Sequence, residues 1–512
     1  MSGSMGPQVW DGAHWCDHLA RHAFTRPDAI AVRFEGTSIT WRRLHQRVQA
    51  LAGGLHLRGV GKGDRVAILL SNRPEFLEAM IAANALGAIA VPVNFRLAPA
   101  EIAYILRDSG ASVLITEPGL ANQTGESPIV LVTGESYEDV INAGATPPVT
   151  AIGERDTALI MYTSGTTGSP KGAMLSHLNL LMQSLTVIRA WRLYGDDEVF
   201  LCGSPLFHIG ALGGVAPILL IGGTTVIMPS GRFDAAGTLD LVEGEQVTST
   251  FLVPAQWQLL CENPATRHRA RSLRTAGWGA APATVDLLRR MAATFPDAAI
   301  VALFGQTEMS PVTCVLEAKD AQRKIGSVGK PVPTVAARVV DETMRDLPPG
   351  EVGEIVYRGP GTMAGYWNKP EATADAFEGG WFHSGDLVRV DDEGFVYVVD
   401  RKKDMIISGG ENIYCAEVEN VLADHPAVGD VAVIGIEHER WGETPLAVVS
   451  PADAAAPPTL ADLADWCRDR LASYKRPTAL EVVDALPRNA AGKVVKHELR
   501  ARFGQSVTAR RP

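Results

Sequence analysis

The densest chemical signal in the chain is a loop that combines glycines, hydroxyl side chains and a lysine. It runs from Tyr162 to Gly172 and reads YTSGTTGSPKG. Glycines let a backbone come close to a ligand, and backbone N–H groups, hydroxyls and an ammonium group can all donate to phosphate oxygens. The sequence therefore predicts a phosphate-binding loop, with contacts from Thr163, Ser164, Gly165, Thr166, Thr167, Gly168 and Lys171.

This loop differs from the phosphate loops of kinase-type proteins. A Walker A motif needs G-x-x-x-x-G-K-[ST], whereas Pro170 precedes Lys171 here and Gly172 follows it. Glycine patterns elsewhere do not open a helix after a strand, as a dinucleotide-binding fold requires, and no G-x-S-x-G nucleophile elbow occurs. The alternative is that this loop is a flexible linker without a binding role, but linkers rarely join a buried strand to a helix.

The elements that must hold this loop alternate between strand-like and helix-like segments. The helix pattern covers Glu75–Leu86, and the loop should follow a strand and precede a helix capped by Ser176. Such alternation indicates crossover units and a largely parallel sheet with antiparallel additions. The predicted strands are 29–34, 65–70, 88–93, 112–116 and 158–162.

One uncharged stretch, Ile209–Ser230, is rich in glycine and apolar residues. A bilayer span needs about 20 mostly apolar residues. The glycines and prolines favour a buried helix, a turn at Gly222–Gly223 and a strand over Thr224–Met228 instead.

The pattern of predicted turns, strands and helices changes near Trp381. A hairpin turn signature at Asp391–Gly394 is followed by the charged segment Asp400–Asp404, and then by a compact α+β pattern of about 110 residues. The predicted domains are therefore residues 1–400 and 401–512. In the second, strands are expected at 405–407, 431–436 and 446–449, with helices at 416–423 and 460–471.

Composition narrows the class of protein. Hydrophobic residues make up 46% of the 512 residues, which predicts that the bulk of the chain is ordered, and a net charge of −11 argues against nucleic acid as a partner. Scattered cysteines and the absence of a signal peptide predict a cytoplasmic protein without disulfides or zinc. The basic C-terminus, with Arg500, Arg502, Arg510 and Arg511, permits weak membrane-surface contact. The oligomeric state stays open, a homodimer being one alternative.

Further motifs occur after the loop, in the order Phe304–Glu308, Trp381–Asp386, Asp400–Asp404, Ser408–Asn412 and Pro487–Lys493. Together with the loop, they resemble the adenylate-forming superfamily of acyl-CoA synthetases, luciferases and peptide-synthetase adenylation domains. The resemblance implies an α/β fold: a large N-terminal α/β domain of adenylate-forming type and a small mobile α+β C-terminal domain.

The resemblance also implies an ATP-dependent acyl-CoA ligase that works in two half-reactions with Mg²⁺ and coenzyme A. A carboxylate attacks the α-phosphate of ATP to give acyl-AMP and pyrophosphate, and the thiol of coenzyme A then takes the acyl group. ATP contacts are implied for Gly279, Ala280, Ala281, Phe304, Gly305, Gln306, Thr307, Asp386 and Arg401.

By the same resemblance, Glu308 with Thr163 holds the metal ion, and Lys493 stabilises the charge that develops during adenylation. His208 matches a position near the acyl carboxylate and the approaching thiol. Lys403 matches the hinge about which the small domain turns. The coenzyme A tunnel is expected along Ser408, Gly409, Gly410 and Trp441.

The predicted acyl pocket is mostly apolar, which indicates a hydrophobic monocarboxylic acid. The similarity of the Lys403–Glu419 and Pro487–Lys493 segments to bacterial fatty-acyl-CoA ligases favours a medium- or long-chain fatty acid. Aryl or phenylpropenoid acids are the alternative, because glycine-rich walls and Trp278, where relatives often carry a small residue, could shape a flat slot. The predicted lining is Ile209, Gly210, Trp257, Trp278 and Met309.

Three further alternatives are open at this point. A ligase that loads a carrier protein usually has an insertion that this chain lacks. A Ser/Lys amidohydrolase could use Ser164 and Lys171, but would need neither ATP nor Asp386, Arg401 and Lys493. A catalytically silent nucleotide-binding protein would not need a suitable residue at every matched position.

Overall fold

The computed structural model describes residues 14–121, 129–163, 170–281, 283–408, 411–438, 441–488 and 493–504. The chain separates into two compact units. The first comprises residues up to 337 together with 357–382, and the second comprises 338–356 together with 383 onwards. The predicted combination of a large α/β part and a smaller C-terminal α+β part is confirmed, whereas the boundary at residue 400 remains a prediction.

The helices begin mostly at residues that cap them or at a proline in the first turn. They are α1 Trp15–Thr25, α2 Trp41–His56, α3 Pro74–Ala85, α4 Pro99–Ser109, α5 Ser136–Asn142, α6 His177–Trp191, α7 Ile209–Ile221, α8 Ala235–Gly244, α9 Pro254–Glu262, α10 Thr266–Arg269, α11 Val285–Thr294, α12 Pro370–Ala376, α13 Cys415–Ala423, α14 Leu460–Cys467 and α15 Lys496–Phe503.

The strands alternate with these helices along most of the chain. They are β1 Ile30–Phe34, β2 Thr37–Thr40, β3 Arg65–Leu69, β4 Ile89–Pro92, β5 Val113–Thr116, β6 Val130–Val132, β7 Thr157–Thr163, β8 Lys171–Ser176, β9 Val199–Cys202, β10 Thr224–Ile227, β11 Ser249–Leu252, β12 Thr275–Gly279, β13 Ala299–Gly305, β14 Val312–Leu316, β15 Lys330–Pro331, β16 Ala336–Val340, β17 Val352–Arg358, β18 Phe382–Val390, β19 Val396–Arg401, β20 Ile406–Ser408, β21 Glu411–Ile413, β22 Val428–His438, β23 Gly442–Pro451 and β24 Ala479–Val482.

Two sheets build the first unit. One has the strand order β15-β14-β13-β12-β11-β9-β10-β1-β2, and the other has the order β6-β5-β3-β4-β7-β8. Neighbouring strands are parallel except at β14, β15, β2 and β8, which pair antiparallel at the ends of the sheets. The predicted parallel sheet with antiparallel additions is therefore confirmed.

The uncharged stretch folds as the sequence predicts. Helix α7 is buried over almost its whole length and ends at Gly222 with a positive φ of 84°, after which β10 begins at Thr224. Among the described residues, no helix is long and apolar enough to cross a membrane.

The phosphate loop differs from its prediction in one respect. It joins two antiparallel strands, β7 and β8, and the strand β8 between the loop and the helix capped by Ser176 was not predicted. Gly172, Ala173 and Leu175 are buried against β7 and so hold the chain in a strand. Helix α6 starts only at His177, where the predicted cap is confirmed: the Ser176 hydroxyl accepts a hydrogen bond from the Asn179 N–H at 3.2 Å.

The second unit contains most of the sheet β16-β17-β18-β19, and a further sheet in the order β21-β20-β23-β22 with β24 beside β23. The predicted hairpin between β18 and β19 is confirmed. In its turn the Asp391 carboxylate accepts from the backbone N–H groups of Glu393 and Phe395, at 3.0 and 2.9 Å, and Gly394 has a φ of 83°.

A buried ion network ties three helices of the first unit together. The Arg47 guanidinium of α2 donates to both carboxylate oxygens of Glu78 on α3, at 2.6 and 3.0 Å, and to Glu138 on α5 at 2.7 Å. The Tyr137 hydroxyl donates to the same Glu78 carboxylate at 2.8 Å. Burial raises the pKa of Glu78, although the bonds from Arg47 oppose that shift.

We expect Glu78→Ala to destabilise the first unit by about 3 kcal/mol, because it leaves part of a buried guanidinium and a buried hydroxyl without their acceptor. The measurement is the urea midpoint of unfolding followed by tryptophan fluorescence. Glu135→Ala, at an exposed position nearby, should change stability by less than about 0.5 kcal/mol. Equal midpoints for the two variants would show that the network does not stabilise this unit.

Candidate functional site

The two ends of the predicted phosphate loop lie side by side in the first unit. Thr163 pairs with Lys171 across the β7–β8 hairpin, and the Lys171 ammonium lies 5.3 Å from the centre of the Tyr366 ring. The hairpin therefore brings one hydroxyl and one ammonium group together. The other predicted contacts of the loop lie outside the described residues: Ser164, Gly165, Thr166, Thr167 and Gly168.

The Glu308 carboxylate lies beside this hairpin. Glu308 is 8% exposed, and its Oε1 accepts from the Tyr366 hydroxyl at 3.1 Å and from the Thr163 hydroxyl at 3.5 Å. Burial and the neighbouring Glu308 charge raise the pKa of Tyr366, so this hydroxyl stays a donor. The structure thus brings together Glu308 and Thr163, the two residues predicted to hold the metal ion.

The donor set suits Mg²⁺ bound together with a nucleotide. Among the described residues, no cluster of three or more histidine, cysteine, aspartate or glutamate side chains could form a metal site on its own. Mg²⁺ is commonly held by one or two carboxylates, while substrate phosphates and water complete its octahedral shell. A carboxylate and a hydroxyl next to a phosphate loop fit that pattern.

A tight turn after β13 sets the position of Glu308. The Gln306 N–H donates to the Pro311 carbonyl at 2.9 Å, and the chain passes so close that a Cβ on Gly305 would lie 1.9 Å from that oxygen. Gly305 also has a φ of 154°. Only glycine fits there, and the turn contains all of the predicted ATP contacts in Phe304–Thr307.

The segment predicted to run along the adenine follows β12. Trp278 is buried within the sheet, where it pairs with Ala302, and β12 ends at Gly279. Ala280 then adopts a φ of 65°, a left-handed conformation that costs a residue with a Cβ roughly 1 kcal/mol. Such local strain is concentrated at ligand sites, which agrees with the predicted role of Ala280 and Ala281.

His208 stands at the N-terminus of α7 and is half-buried. Its ring lies 5.4 Å from that of Phe207. The preceding loop is held by Asn72, a buried side chain that donates to the Ser204 carbonyl at 3.0 Å and accepts from the Leu206 N–H at 2.8 Å. Asn72 was not identified from the sequence, because a single asparagine after a strand resembles an ordinary turn residue.

In the second unit, the predicted nucleotide-binding pair forms a direct ion pair. Asp386 and Arg401 are cross-strand partners in the β18–β19 hairpin, and Arg401 Nε lies 2.6 Å from Asp386 Oδ1. Asp386 is almost fully buried, whereas the Arg401 side chain is 37% exposed. The hairpin therefore holds the carboxylate in a defined direction.

Glu354 supports the same hairpin and was not identified from the sequence. Its carboxylate accepts from the His383 ring at 3.1 Å, from the Gly385 N–H at 3.0 Å and from Lys402 at 3.2 Å. Burial raises the pKa of Glu354, but these bonds and the Lys402 charge outweigh it, so its pKa lies below the ordinary value. A lone glutamate in a strand gives no sequence signal for such a role.

The predicted hinge and tunnel residues also lie in the second unit. Lys403 follows β19, and burial lowers its pKa. Ser408 pairs with Gly442, which follows Trp441, and the Trp441 ring stacks on His438 at 4.4 Å. The structure thus brings Ser408 close to Trp441, while the remaining predicted tunnel residues, Gly409 and Gly410, lie outside the described residues.

Lys493 is exposed, and residues 489–492 of its motif lie outside the described residues. The chain on both sides is joined by an antiparallel bridge between Arg488 and Val494, and the Val495 N–H donates to the Pro487 carbonyl at 2.8 Å. Lys493 therefore lies directly before a bridged position of the chain.

A small cavity lies in the first unit between α6, α7 and the strands β11 and β13. Of the residues predicted for the acyl pocket, Gly210 lines it, and Ile209 precedes Gly210 in α7. Trp257 belongs instead to the core: it is fully buried, and its indole N–H donates to the Gly277 carbonyl at 3.0 Å. The lining is Gln183, Trp191, Gly210, Gly213, Gly214, Phe251, Leu303, Pro311 and Val312.

Comparison with known proteins matches both parts of the chain. Residues 19–367 match the AMP-binding enzyme family, and residues 417–493 match the AMP-binding enzyme C-terminal domain. A feruloyl-CoA synthase of an Amycolatopsis species is 45% identical, over 94% of this chain and 98% of that synthase. An indoleacetate–CoA ligase of Aromatoleum aromaticum is 38% identical, over 95% of this chain and 97% of the ligase.

The fold matches solved structures equally well. The o-succinylbenzoate coenzyme A synthetase of Bacillus subtilis, in complex with ATP and magnesium ion, superimposes with a TM-score of 0.85. Its sequence is 32% identical, and the match covers 94% of this chain and 99% of that structure. The match extends over both units, so the expected ATP, Mg²⁺ and coenzyme A chemistry is confirmed.

We expect Glu308→Gln to lower the rate of adenylate formation by about 10²- to 10³-fold, since it removes the negative charge beside the phosphate loop while the neutral amide can still accept from Tyr366. The measurement is ATP–pyrophosphate exchange at several Mg²⁺ concentrations. Glu371→Gln, at an exposed position of α12, is the matched control and should behave like the wild type. A wild-type rate of adenylate formation in Glu308→Gln would show that Glu308 has no part in the site.

Asp386→Asn should raise the KM for ATP by about 10- to 100-fold, because the amide is a weaker acceptor than the carboxylate and no longer attracts Arg401. Steady-state kinetics with varied ATP measure the change. The control is Asp392→Asn in the exposed turn of the same hairpin. If both variants kept the wild-type KM, Asp386 would have no part in binding the nucleotide.

Proposed function

Because the chain belongs to the AMP-binding enzyme family and is an ATP-dependent acid–CoA ligase, we propose that the acid it activates is an aromatic monocarboxylic acid, such as an aryl or phenylpropenoid acid. The relatives described above are named for feruloyl, indoleacetate and succinylbenzoate substrates, all of which carry an aromatic ring. The expected medium- or long-chain fatty acid is not confirmed. Family membership also excludes the amidohydrolase alternative.

The observation that carries this proposal is the cavity beside α7. Gly210, Gly213 and Gly214 leave one wall without side chains, and Phe251 and Trp191 contribute aromatic surfaces. A flat ring can lie against a glycine wall and stack on aromatic neighbours, which favours ring-containing acids over a flexible chain.

In the first half-reaction two anions must meet, so the site has to neutralise charge as it develops. Lys171 and the hydroxyl of Thr163 hold the phosphates. The hydroxyl of Tyr366 keeps the Glu308 carboxylate oriented for the metal ion. The Mg²⁺ ion, when bound, supplies positive charge to the phosphate oxygens. Lys493 adds a second positive charge at the α-phosphate as the acid displaces pyrophosphate.

In the second half-reaction the thiol of coenzyme A attacks the acyl-AMP carbonyl and AMP leaves. His208 has a positioning role beside that carbonyl. Lys403 is the pivot about which the small domain turns, so that Lys493 leaves the reacting centre and the surface with Ser408 and Trp441 takes its place. Asp386 and Arg401 keep hold of the nucleotide in both steps.

The function is tested by a screen of acids in ATP–pyrophosphate exchange, repeated with coenzyme A and mass analysis of the product. We expect phenylpropenoic and arylacetic acids to outperform fatty acids of 8 to 16 carbons, and to give the CoA thioester. Exclusive use of fatty acids would refute the aromatic assignment. Acyl-AMP that accumulates without any thioester would favour a ligase that loads a carrier protein.

Lys493→Ala should abolish adenylate formation, with a loss of about 10²- to 10³-fold, but should spare thioester formation from supplied acyl-AMP. The reason is that the ammonium group is needed only while charge builds at the α-phosphate. Pyrophosphate exchange and thioester release measure the two steps separately. Lys319→Ala, an exposed lysine of the first unit, is the control, and equal loss of both steps in Lys493→Ala would contradict this role.

Lys403→Pro should permit adenylation and block thioester formation, because proline fixes one backbone dihedral and restricts the residue before it. Lys403→Ala is the matched control, since it removes the side chain and keeps the backbone free. The measurement is the ratio of acyl-AMP to thioester in a single turnover. Unchanged thioester yield in Lys403→Pro would exclude a pivot at this residue.

A further inference from the structure

The cavity beside α7 contains a buried hydrogen-bond donor that the adenylation chemistry does not use. Gln183 of α6 is 4% exposed, and its Nε2 has no hydrogen-bond partner among the residues that the structure describes. Buried polar groups in native proteins are nearly always paired, so an orphaned donor in a cavity calls for an explanation.

The amide of Gln183 has a defined orientation. Its Oε1 accepts from the backbone N–H of Val312 at 3.3 Å, and a backbone N–H can only donate, so the oxygen must face Val312. The NH₂ group then points the other way, towards the glycine wall: a Cβ built on Gly213 would lie 3.4 Å from Nε2 and 3.2 Å from Pro311 Cδ. The donor thus faces the backbone of α7 at Gly213, in the lining of the cavity.

Trp191 adds a second donor to the same lining. It is 2% exposed, and its indole Nε1 is likewise without a partner within the described part of the first unit. The polar side-chain groups still available in this cavity are therefore N–H donors, since the one amide oxygen is engaged by Val312.

Chain connectivity places this donor away from the reacting end of the cavity. His208 precedes α7, and Gly213 follows it by more than one helical turn, about 7 Å along the helix axis. On the other side, Pro311 and Val312 follow Glu308 in the chain. An acid with its carboxylate near His208 would therefore extend along α7 towards Gln183.

We propose that Gln183 is a specificity-determining residue that donates a hydrogen bond to an acceptor oxygen on the ring of the acid, at the end remote from the carboxylate. A phenolic hydroxyl or an aryl ether oxygen supplies such an acceptor. This inference rests on the proposed function, because it specifies which aromatic acids the site prefers.

The same geometry disfavours other acids. An alkyl chain would bury the NH₂ of Gln183 against methylene groups and leave it unsatisfied, which carries the full desolvation cost of that donor. A ring whose only polar atom is an N–H would place two donors face to face. A site built to bind a hydroxyl rejects analogues without it much more strongly than an apolar pocket discriminates by size.

The test compares two 3-phenylpropenoic acids of nearly equal size, one with a 4-hydroxyl group and one with a 4-methyl group. We expect wild-type enzyme to favour the hydroxyl acid by about 10- to 100-fold in kcat/KM. In Gln183→Met, a substitution of similar volume, the ratio should fall to about 1. Both acids are measured on one preparation, so the ratio does not depend on how much of the variant is folded.

Gln258→Met is the matched control. Gln258 lies exposed on α9, where its Nε2 donates to Glu262 at 3.1 Å, and the ratio should keep its wild-type value in this variant. A second variant, Gly210→Ala, tests the position of the ring: the added methyl would meet only Phe251, at 3.8 Å, so the fold is kept while the slot narrows. It should lower kcat/KM for both acids and leave their ratio unchanged.

The failures of the two proposals are distinguishable. If wild-type enzyme activates both acids without preference, or if Gln183→Met keeps the wild-type ratio, the assignment of Gln183 is wrong and the aromatic function stands. If wild-type enzyme activates neither acid nor any other aromatic acid, the proposed function fails and the role of Gln183 fails with it.

Discussion

The site depends on one constraint: a buried carboxylate must be held beside a phosphate loop without collapsing onto the lysine of that loop. Tyr366 meets this constraint. Its hydroxyl donates to Glu308, while its ring faces the ammonium of Lys171 at 5.3 Å. The carboxylate is thus directed by a neutral donor and keeps oxygen lone pairs for an ion, and the lysine remains oriented by a cation–π contact, which is weaker than an ion pair with Glu308.

Apolar patterning explains why much of the fold could be predicted. Strands such as β3, β5 and β7 are buried on both faces, so they appear as continuous apolar runs between turn residues. The strand β8 was missed because it begins with Lys171-Gly172, which looks like part of a loop. Its strand conformation follows from pairing with β7, a long-range contact that no local pattern contains.

The site residues also divide into those that the sequence could predict and those that depend on long-range contacts. Motif residues such as Glu308, Asp386 and Arg401 could be predicted because their order along the chain resembles a family, and the structure places Asp386 against Arg401 as an ion pair. Supporting residues such as Glu354 and Gln183 could not. Each is a polar residue whose function arises from partners that are distant in sequence, and a periodicity argument treats such a residue as a surface position.

A family motif specifies the chemistry common to all members, whereas selectivity for the acid comes from residues outside the motifs. The helix α7 illustrates how. Its glycines carry no side chains along one wall, so a polar group of the opposing helix α6, the amide of Gln183, can come close to its backbone. Because the backbone of Val312 fixes the amide of Gln183, the donor is directed before any acid binds, and little conformational entropy is lost when an acceptor arrives. A change of acid preference in this fold therefore needs only a new residue at such a position, while the phosphate loop, the Glu308 turn and the Asp386 hairpin stay as they are.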